Sequence, residues 1–319
     1  MSSFPPFPAN EGALTPDEVV RQLLELPSAP RVLPRLKRLL SDGNSSIRDV
    51  VEMIRLDPGI AARVLRMGNS IYYSQGLRCY TVDEAMNRVG YDHVYELVAN
   101  AVASQVLVRP LEVYGMDPDD LWRQSVACGL AAETLARQLN LDVDVAYTVG
   151  LLYGVGLVAI DEWAFRQKLP WRFAPGPLPL ETCHTERAVL GFHNAEAGAA
   201  LLRLWEFPAV MTEPVRWQYL PRGTAAHLPL AAALHVAKWV RAEICGAPGT
   251  PRPEPTLLRS MNLSNPGLDR LVAEVRTRFE SVSSLLETEP AGTHELSFPN
   301  GPRAVEARPP GSQLLQRFA

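Results

Sequence analysis

Few side chains in this 319-residue chain stand at spacings that could do chemistry. Cys79, Cys128, Cys183 and Cys245 lie far apart and form no C-x-x-C pair, so neither a zinc site nor a dithiol redox centre is indicated. They read as reduced thiols of a cytosolic protein. His184, His227 and His235 have no partner at ligand spacing, and surface or internally satisfied roles are expected for them. His193, in Gly191-Phe-His-Asn-Ala195, has two readings: part of a ligand pocket, or a cap on the helix that follows. Arg31, Arg35, Lys37 and Arg38 crowd a short segment and could meet phosphates, but such residues equally form the solvent face of an amphipathic helix. The run Gly150-Leu-Leu-Tyr-Gly-Val-Gly156 offers a phenol and a bare glycine at its middle. A phenol is a poor ligand for a hard divalent cation, and glycine has no side chain to offer.

The bulk properties exclude rather than select. The apolar fraction is 47%, the charged fraction 21% and the formal net charge -4, values ordinary for a globular protein and without an overall basic field. Residues 31–66 hold eight basic and four acidic side chains, a local excess. The opening MSSFPPFPANEG has no basic stretch followed by an apolar run, so export is not expected. The longest apolar candidate for a span, around 149–160, is short and broken by glycine, against the roughly 18 to 20 residues a bilayer requires. A cytoplasmic location with no membrane partner is the expectation.

The elements that position these residues read as helices. Thr15-Pro-Asp-Glu18 and Thr81-Val-Asp-Glu84 each combine a capping residue with an acid three positions on, the signature of a helix start. Ile47, Val50, Val51 and Ile54 fall at helical spacing after Ser46, and Asp57-Pro58-Gly59 ends one helix and caps the next. Asp117-Pro118 opens a longer helix to about Leu139, and Val143 to Trp163, apolar on more than one face, predicts one buried central helix. Helices are expected at about 181–190, 194–206, 208–219 and 228–245, a linker at 246–255, and an amphipathic helix through Leu268, Leu271, Val275 and Phe279.

Three blocks of the chain together resemble the HDOD family, the HD-related output domains of bacteria. The first joins Leu26-Pro-Ser-Ala-Pro30, Leu56-Asp-Pro-Gly-Ile60 and Leu65-Arg-Met-Gly-Asn-Ser70. The second is Leu121-Trp-Arg-Gln-Ser125, with Tyr153 following 29 residues after Gln124 in a position where HD hydrolases read G-L-L-H-D-I-G. The third is Leu190-Gly-Phe-His193 with Gly198, Leu201-Leu202 and Trp205-x-x-Pro208. The resemblance spans about residues 15–245 and implies an all-α fold, a short-helix bundle packed on an HD-like helical core. The organisation expected is a disordered stretch at 1–14, an N-terminal helical subdomain at 15–112, the HD-like core at 113–245, a linker and C-terminal helix at 246–287, and a disordered tail at 288–319. Within the first block, Asp57, Pro58, Asn69 and Ser70 are read as structural signature residues, a cap and a turn.

Carried across residue by residue, the resemblance places the hydrolases' early histidine at Gln124 and their His-Asp pair at Tyr153-Gly154. The end of the following helix falls at Trp217-Gln218, and the late aspartate at Lys238. His193 alone keeps a ligand-type side chain. One imidazole cannot hold a catalytic divalent metal, which needs three or more protein ligands, so no metal, no cofactor and no catalytic residue are expected. The vacated positions could be filled by packed side chains, Tyr153 and Trp217 foremost, or could line a pocket for a nucleotide or phosphate. Lys238, if buried there, needs a counter-ion, and Glu196 and Glu243 are the nearest acids in sequence. The resemblance implies a regulatory module of bacterial signal transduction that acts by binding signalling proteins or a ligand. The alternatives are a residual phosphohydrolase, or a nucleic-acid-binding regulator using the basic 31–66 region, the latter disfavoured by the net charge.

Overall fold

The computed structural model describes residues 14–21, 23, 32–41, 45–74, 76–90, 93–94, 97, 110–170, 172–173, 180–221, 226–246 and 250–287. Expectations for residues 1–13, for the turn at Leu26–Pro30, for most of 91–109 and for the tail from 288 fall outside that set. Among the described residues the regular structure is helical, with one isolated antiparallel bridge, Leu111 to Met116, and no strand.

Five short helices come first: α1 (Pro16–Val20), α2 (Val32–Ser41), α3 (Ile47–Arg55), α4 (Pro58–Asn69) and α5 (Ile71–Ser74), with α6 (Val82–Val89) behind them. Their starts are local chemistry. Thr15, Ser46 and Thr81 each accept the N–H three residues on, and the acids Glu18, Asp49 and Glu84 return the bond to the cap backbone. Asp57, fully buried, accepts Ile60 N–H at 2.9 Å and caps α4 one residue after α3 has stopped, with Pro58 at the first helical position. Helices α2 to α6 pack among themselves, whereas α1 docks instead on two helices of the following region.

That region is built around α7 (Pro118–Leu139), which packs on α8 (Val143–Leu151), on α13 (Leu228–Ile244) and on the long C-terminal α15 (Asn265–Glu287). The remaining helices are α9 (Val155–Arg166), α10 (Leu180–Leu190), α11 (Asn194–Leu204), α12 (Ala209–Arg216) and a short α14 (Pro255–Ser260) just beyond the expected linker. The stretch expected as a single central helix is two, α8 and α9, parted at Leu152-Tyr153-Gly154. Within residues 143–166 the most apolar 18-residue window has a mean hydropathy of 1.8 and is 89% buried, so its apolar character serves the core.

The glycines of Gly150-Leu-Leu-Tyr-Gly-Val-Gly156 explain how these layers approach so closely. A Cβ on Gly156 would lie 1.8 Å from the Asn194 carbonyl oxygen and 2.6 Å from Gly198 N, because α9 and α11 touch backbone to backbone. A Cβ on Gly150 would lie 2.7 Å from the Cys128 carbonyl oxygen on α7. Gly154, by contrast, has ordinary room, with the nearest atoms at 3.5 and 3.7 Å. The outer glycines of the motif are demanded by packing and the inner one is not.

The first and second regions are stitched by hydrogen bonds to the end of α3. Trp122 Nε1 donates to the Leu56 carbonyl at 2.8 Å and the Tyr147 hydroxyl donates to the Arg55 carbonyl at 2.8 Å. The C-terminal helix is held from its own side: Arg278 pairs with Glu133 and donates to Thr134, and Phe279 sits 6.2 Å from the Trp122 ring.

Candidate functional site

The break between α8 and α9 delivers Tyr153 into the middle of the bundle, where only 1% of it is exposed. Its hydroxyl donates to Gln124 Oε1 on α7 at 3.1 Å. Arg241, from α13, drives a guanidinium nitrogen against both, 2.6 Å from Gln124 Oε1 and 2.6 Å from the Tyr153 oxygen. Gln218 closes the floor, donating from Nε2 to the carbonyls of Tyr153 at 3.1 Å and Val215 at 2.9 Å. His235 Nδ1 donates to the Gln218 carbonyl at 3.0 Å, and burial lowers that imidazole's pKa.

One helical turn before Arg241 on the same face stands Lys238. Its ammonium lies 3.2 Å over the Tyr219 ring and 5.8 Å from the Tyr153 ring, and Nζ has no hydrogen-bond partner. Lys238 is 7% exposed and Arg241 3%. Burial, and then the neighbouring Arg241 charge, hold the Lys238 pKa well below the ordinary lysine range. Neither Glu196 nor Glu243, the acids expected as counter-ions, reaches it. Glu196 is taken by Arg187 at 2.7 Å and by the His193 N–H at 3.0 Å, and no carboxylate lies within hydrogen-bond reach of Lys238 Nζ. The charge is met by an aromatic face instead.

Beyond Tyr219 the polar network continues into α10 and α11. The Tyr219 hydroxyl donates to Asn194 Oδ1 at 3.1 Å, Asn194 donates from Nδ2 and from its backbone to Glu186 at 2.7 and 2.8 Å, and Tyr114 donates to the other Glu186 oxygen at 2.6 Å. Glu186 has no exposed surface, and burial raises its pKa in spite of these donors. It is the acid electrostatically coupled to Lys238, at a separation beyond a direct ion pair. His193 stands at the N-terminal boundary of α11, its ring 5.7 Å from Tyr219 and its Nδ1 without a hydrogen bond.

Of the positions singled out from the sequence, Gln124, Tyr153, Gln218, His193 and Lys238 are thus gathered around one centre. Trp217 is not: it is only half-buried, its indole N–H bonds Glu213 Oε2 at 3.2 Å, and Arg216 lies over its ring at 5.2 Å. The helix α12 ends at Arg216, and the turn sends adjacent residues to opposite sides, Gln218 inward and Trp217 to the rim. Gly154 borders a small cleft of about 10 Å³ with Leu121, Ser125, Pro58 and Val158, space for at most one water. Asn69 and Ser70 lie elsewhere, at the end of α4.

Sequence reasoning missed Arg241, Tyr219, Asn194 and Glu186. Arg241 had a signal: it follows Lys238 at i+3 in a helix otherwise nearly free of charge, so both cations had to share a face. Glu186 had none, since its neighbours in α10 are polar and charged.

The donor set does not fit a divalent metal. Its oxygens are a carboxamide and a phenol, Gln124 Oε1 already accepts from Arg241 and Tyr153, and burial lifts the Tyr153 pKa to about 12, away from the phenolate a metal would need. No group of three or more His, Cys, Asp or Glu that could hold a metal occurs among the described residues. The Arg241 guanidinium presses into the centre, and a dication would meet its repulsion.

Comparison with known proteins agrees with the architecture. The HDOD domain pattern matches residues 26–221. An uncharacterized protein of Treponema pallidum (strain Nichols) is 26% identical over 219 residues, which is 67% of this chain and 41% of that protein, so the chain spans less than half the length of this relative. The MmoQ response regulator of Methylococcus capsulatus str. Bath shares the fold with a TM-score of 0.62 at 21% identity, over 78% of this chain and 98% of that one. A virulence factor of Campylobacter jejuni subsp. jejuni does so with a TM-score of 0.60 at 16% identity, over 83% and 100%.

Proposed function

Because this chain belongs to the HDOD family, with its all-α fold, we propose that it is a non-catalytic regulatory module of the bacterial cytoplasm that works by binding. One observation carries the reading: where the hydrolases of this superfamily gather metal ligands, Arg241 and Lys238 enter the centre and Gln124 and Tyr153 are consumed as partners of Arg241. Hydrolysis of a phosphoester needs an activated water and a Lewis acid or general base at the reacting atom. Tyr153 is an unactivated phenol and Gln124 does not titrate. The same fold in a response regulator fits this reading.

Metal analysis of the purified chain after incubation with Mn, Fe, Ni or Zn tests it, together with turnover of phosphoesters and cyclic dinucleotides. The expected result is no stoichiometric metal and no turnover. Metal-dependent turnover lost on His193→Ala would overturn it. Lys238 supports a second reading, in which a phosphate-bearing ligand supplies the counter-ion the protein lacks. Calorimetric titration with nucleotides and cyclic dinucleotides tests that reading, and binding unchanged by Lys238→Met would remove it.

A further inference from the structure

Two parts of the N-terminal region treat apolar side chains in opposite ways. After α4 the chain forms a tip at residues 71–77 on which Ile71, Tyr72 and Leu77 stand 88%, 83% and 68% exposed. Its neck is closed by hydrogen bonds. Buried Asn69 donates from Nδ2 to the Cys79 carbonyl at 3.1 Å and accepts Cys79 N–H at 2.7 Å, and Arg88 donates to the Leu77 carbonyl at 2.7 Å. The short α1 does the reverse. Val19, Val20 and Leu23 are buried and Leu14 packs against the same core, whereas Thr15, Asp17, Glu18 and Arg21 face solvent.

The surface that α1 meets does not belong to the bundle that follows it in sequence. It packs on α9 and α11, the pair whose backbones touch at Gly156 and Asn194. It also precedes residues 26–221, the stretch that the HDOD domain pattern matches. A segment outside the shared pattern is thus laid across two central helices.

Its mode of attachment sets it apart. The hydrogen bonds of α1 close within the segment itself: Thr15 and Glu18 cap each other, Val19 N–H bonds the Thr15 carbonyl, Arg21 N–H the Asp17 carbonyl and Leu23 N–H the Val20 carbonyl. Among the described residues no side-chain hydrogen bond or ion pair joins α1 to another element. Other docked elements are pinned by directional bonds. The end of α3 is held by Trp122 and Tyr147, and α15 by Arg278 on Glu133 and Thr134 and by Arg276 on the Glu243 carbonyl. A five-residue helix has no stability of its own in water, and burial of a few aliphatic side chains is largely offset by the entropy of ordering the segment. A segment held by apolar contact alone comes away without breaking a polar bond in the core.

We propose that α1 is a detachable strap: it leaves the α9/α11 face in an opening well below global unfolding, and the uncovered face takes an amphipathic segment with the same aliphatic spacing. Local openings range from almost free to as costly as global unfolding, and elements with few apolar contacts and solvent-facing hydrogen bonds fall at the low end. The pattern Val19-Val20-x-x-Leu23 sets two adjacent aliphatic side chains and a third one turn later on one face, which is what a competing helix must present. The proposal does not depend on the reading of the centre, and either can fail alone.

Hydrogen exchange of the full-length wild type is the first test. The hydrogen-bonded amides of α1 should exchange roughly a hundredfold faster than those of α11, on which it lies. Equal protection of α1 and α11 overturns the proposal. The second test uses the full-length variant Val19→Asp/Val20→Asp, whose strap is expelled. It should keep the wild-type helical circular dichroism and bind a fluorescent peptide of residues 14–23, read by anisotropy. The wild type should bind that peptide about tenfold more weakly or less, because its own α1 competes at the high effective concentration of a tethered segment. The same peptide carrying Val19→Asp/Val20→Asp should not bind. A double variant that unfolds shows α1 to be core and overturns the proposal. So does a folded variant that leaves the peptide unbound, or a wild type that binds it equally well.

Discussion

The centre at Tyr153 and the tip at Tyr72 invert the usual arrangement of a globular protein. The centre buries two cations, a carboxylate and a set of amides and phenols, nearly all hydrogen-bonded to one another. The tip exposes aliphatic and aromatic side chains on a hydrogen-bonded neck. A buried polar network is stable only when most of its members are satisfied, and here Gln124, Tyr153, Arg241, Asn194 and Glu186 are all engaged. An exposed apolar tip gains stability only when something covers it. The centre spends its polar groups on one another, and the tip leaves its apolar groups uncovered.

The strongest way to break the comparison is through the scaffold itself. Gly156→Val should prevent folding, a loss above about 4 kcal/mol, because its Cβ would sit 1.8 Å from the Asn194 carbonyl oxygen and backbone cannot retreat as a side chain can. A folded Gly156→Val with a native-like circular dichroism melt would show that α9 and α11 need not meet there. Next, Tyr153→Ala should cost on the order of 3 kcal/mol, the range for deleting a large buried aromatic, and it also strips a partner from Arg241. A urea-melt change below about 0.5 kcal/mol would mean that the ring is not core.

Lys238→Met should act in the opposite direction, stabilising by on the order of 1 kcal/mol near neutral pH, as replacement of a poorly compensated buried charge does. The sign follows from its lowered folded-state pKa. Between that value and the unfolded lysine value of about 10.4, the unfolded chain binds the extra proton, so this group's penalty shrinks as pH rises. Urea midpoints from pH 7 to 10 should show the wild type converging on Lys238→Met, and parallel curves would refute the lowered pKa. The smallest effect is expected at the tip. Ile71→Ser should leave stability within about 0.5 kcal/mol, since the side chain gains nothing from the fold. A larger loss would mean that the tip is packed and not displayed.

Much of the fold was legible because its signals are local. Capping boxes at Thr15 and Thr81, Ser46 at the head of its helix, and the Asp57-Pro58 junction act within four residues, and the structure uses each as a helix start. The central apolar stretch misled because apolar character on all faces reports burial and not continuity. The chain breaks at Leu152-Tyr153-Gly154 to aim Tyr153 at Gln124. Trp217 and Gln218 could not be sorted by pattern either, since the turn after Arg216 decides which faces inward.

From the sequence alone came the helical class and the caps, and the family resemblance added the lack of ligand-type residues at the positions a metal would require. Those are properties of residue type and near neighbours. The tertiary structure decided which residues meet at the centre. Gln124 and Arg241 are 117 residues apart and meet only because α7 packs on α13, and Lys238 rests on Tyr219 only because the turn after α12 swings that ring beneath it. It also decided that Ile71, Tyr72 and Leu77, apolar enough for any core, face water, on a loop whose neck is closed by hydrogen bonds of Asn69 and Arg88. Helical periodicity tells which residues share a face, and only packing over long sequence distances tells what that face meets.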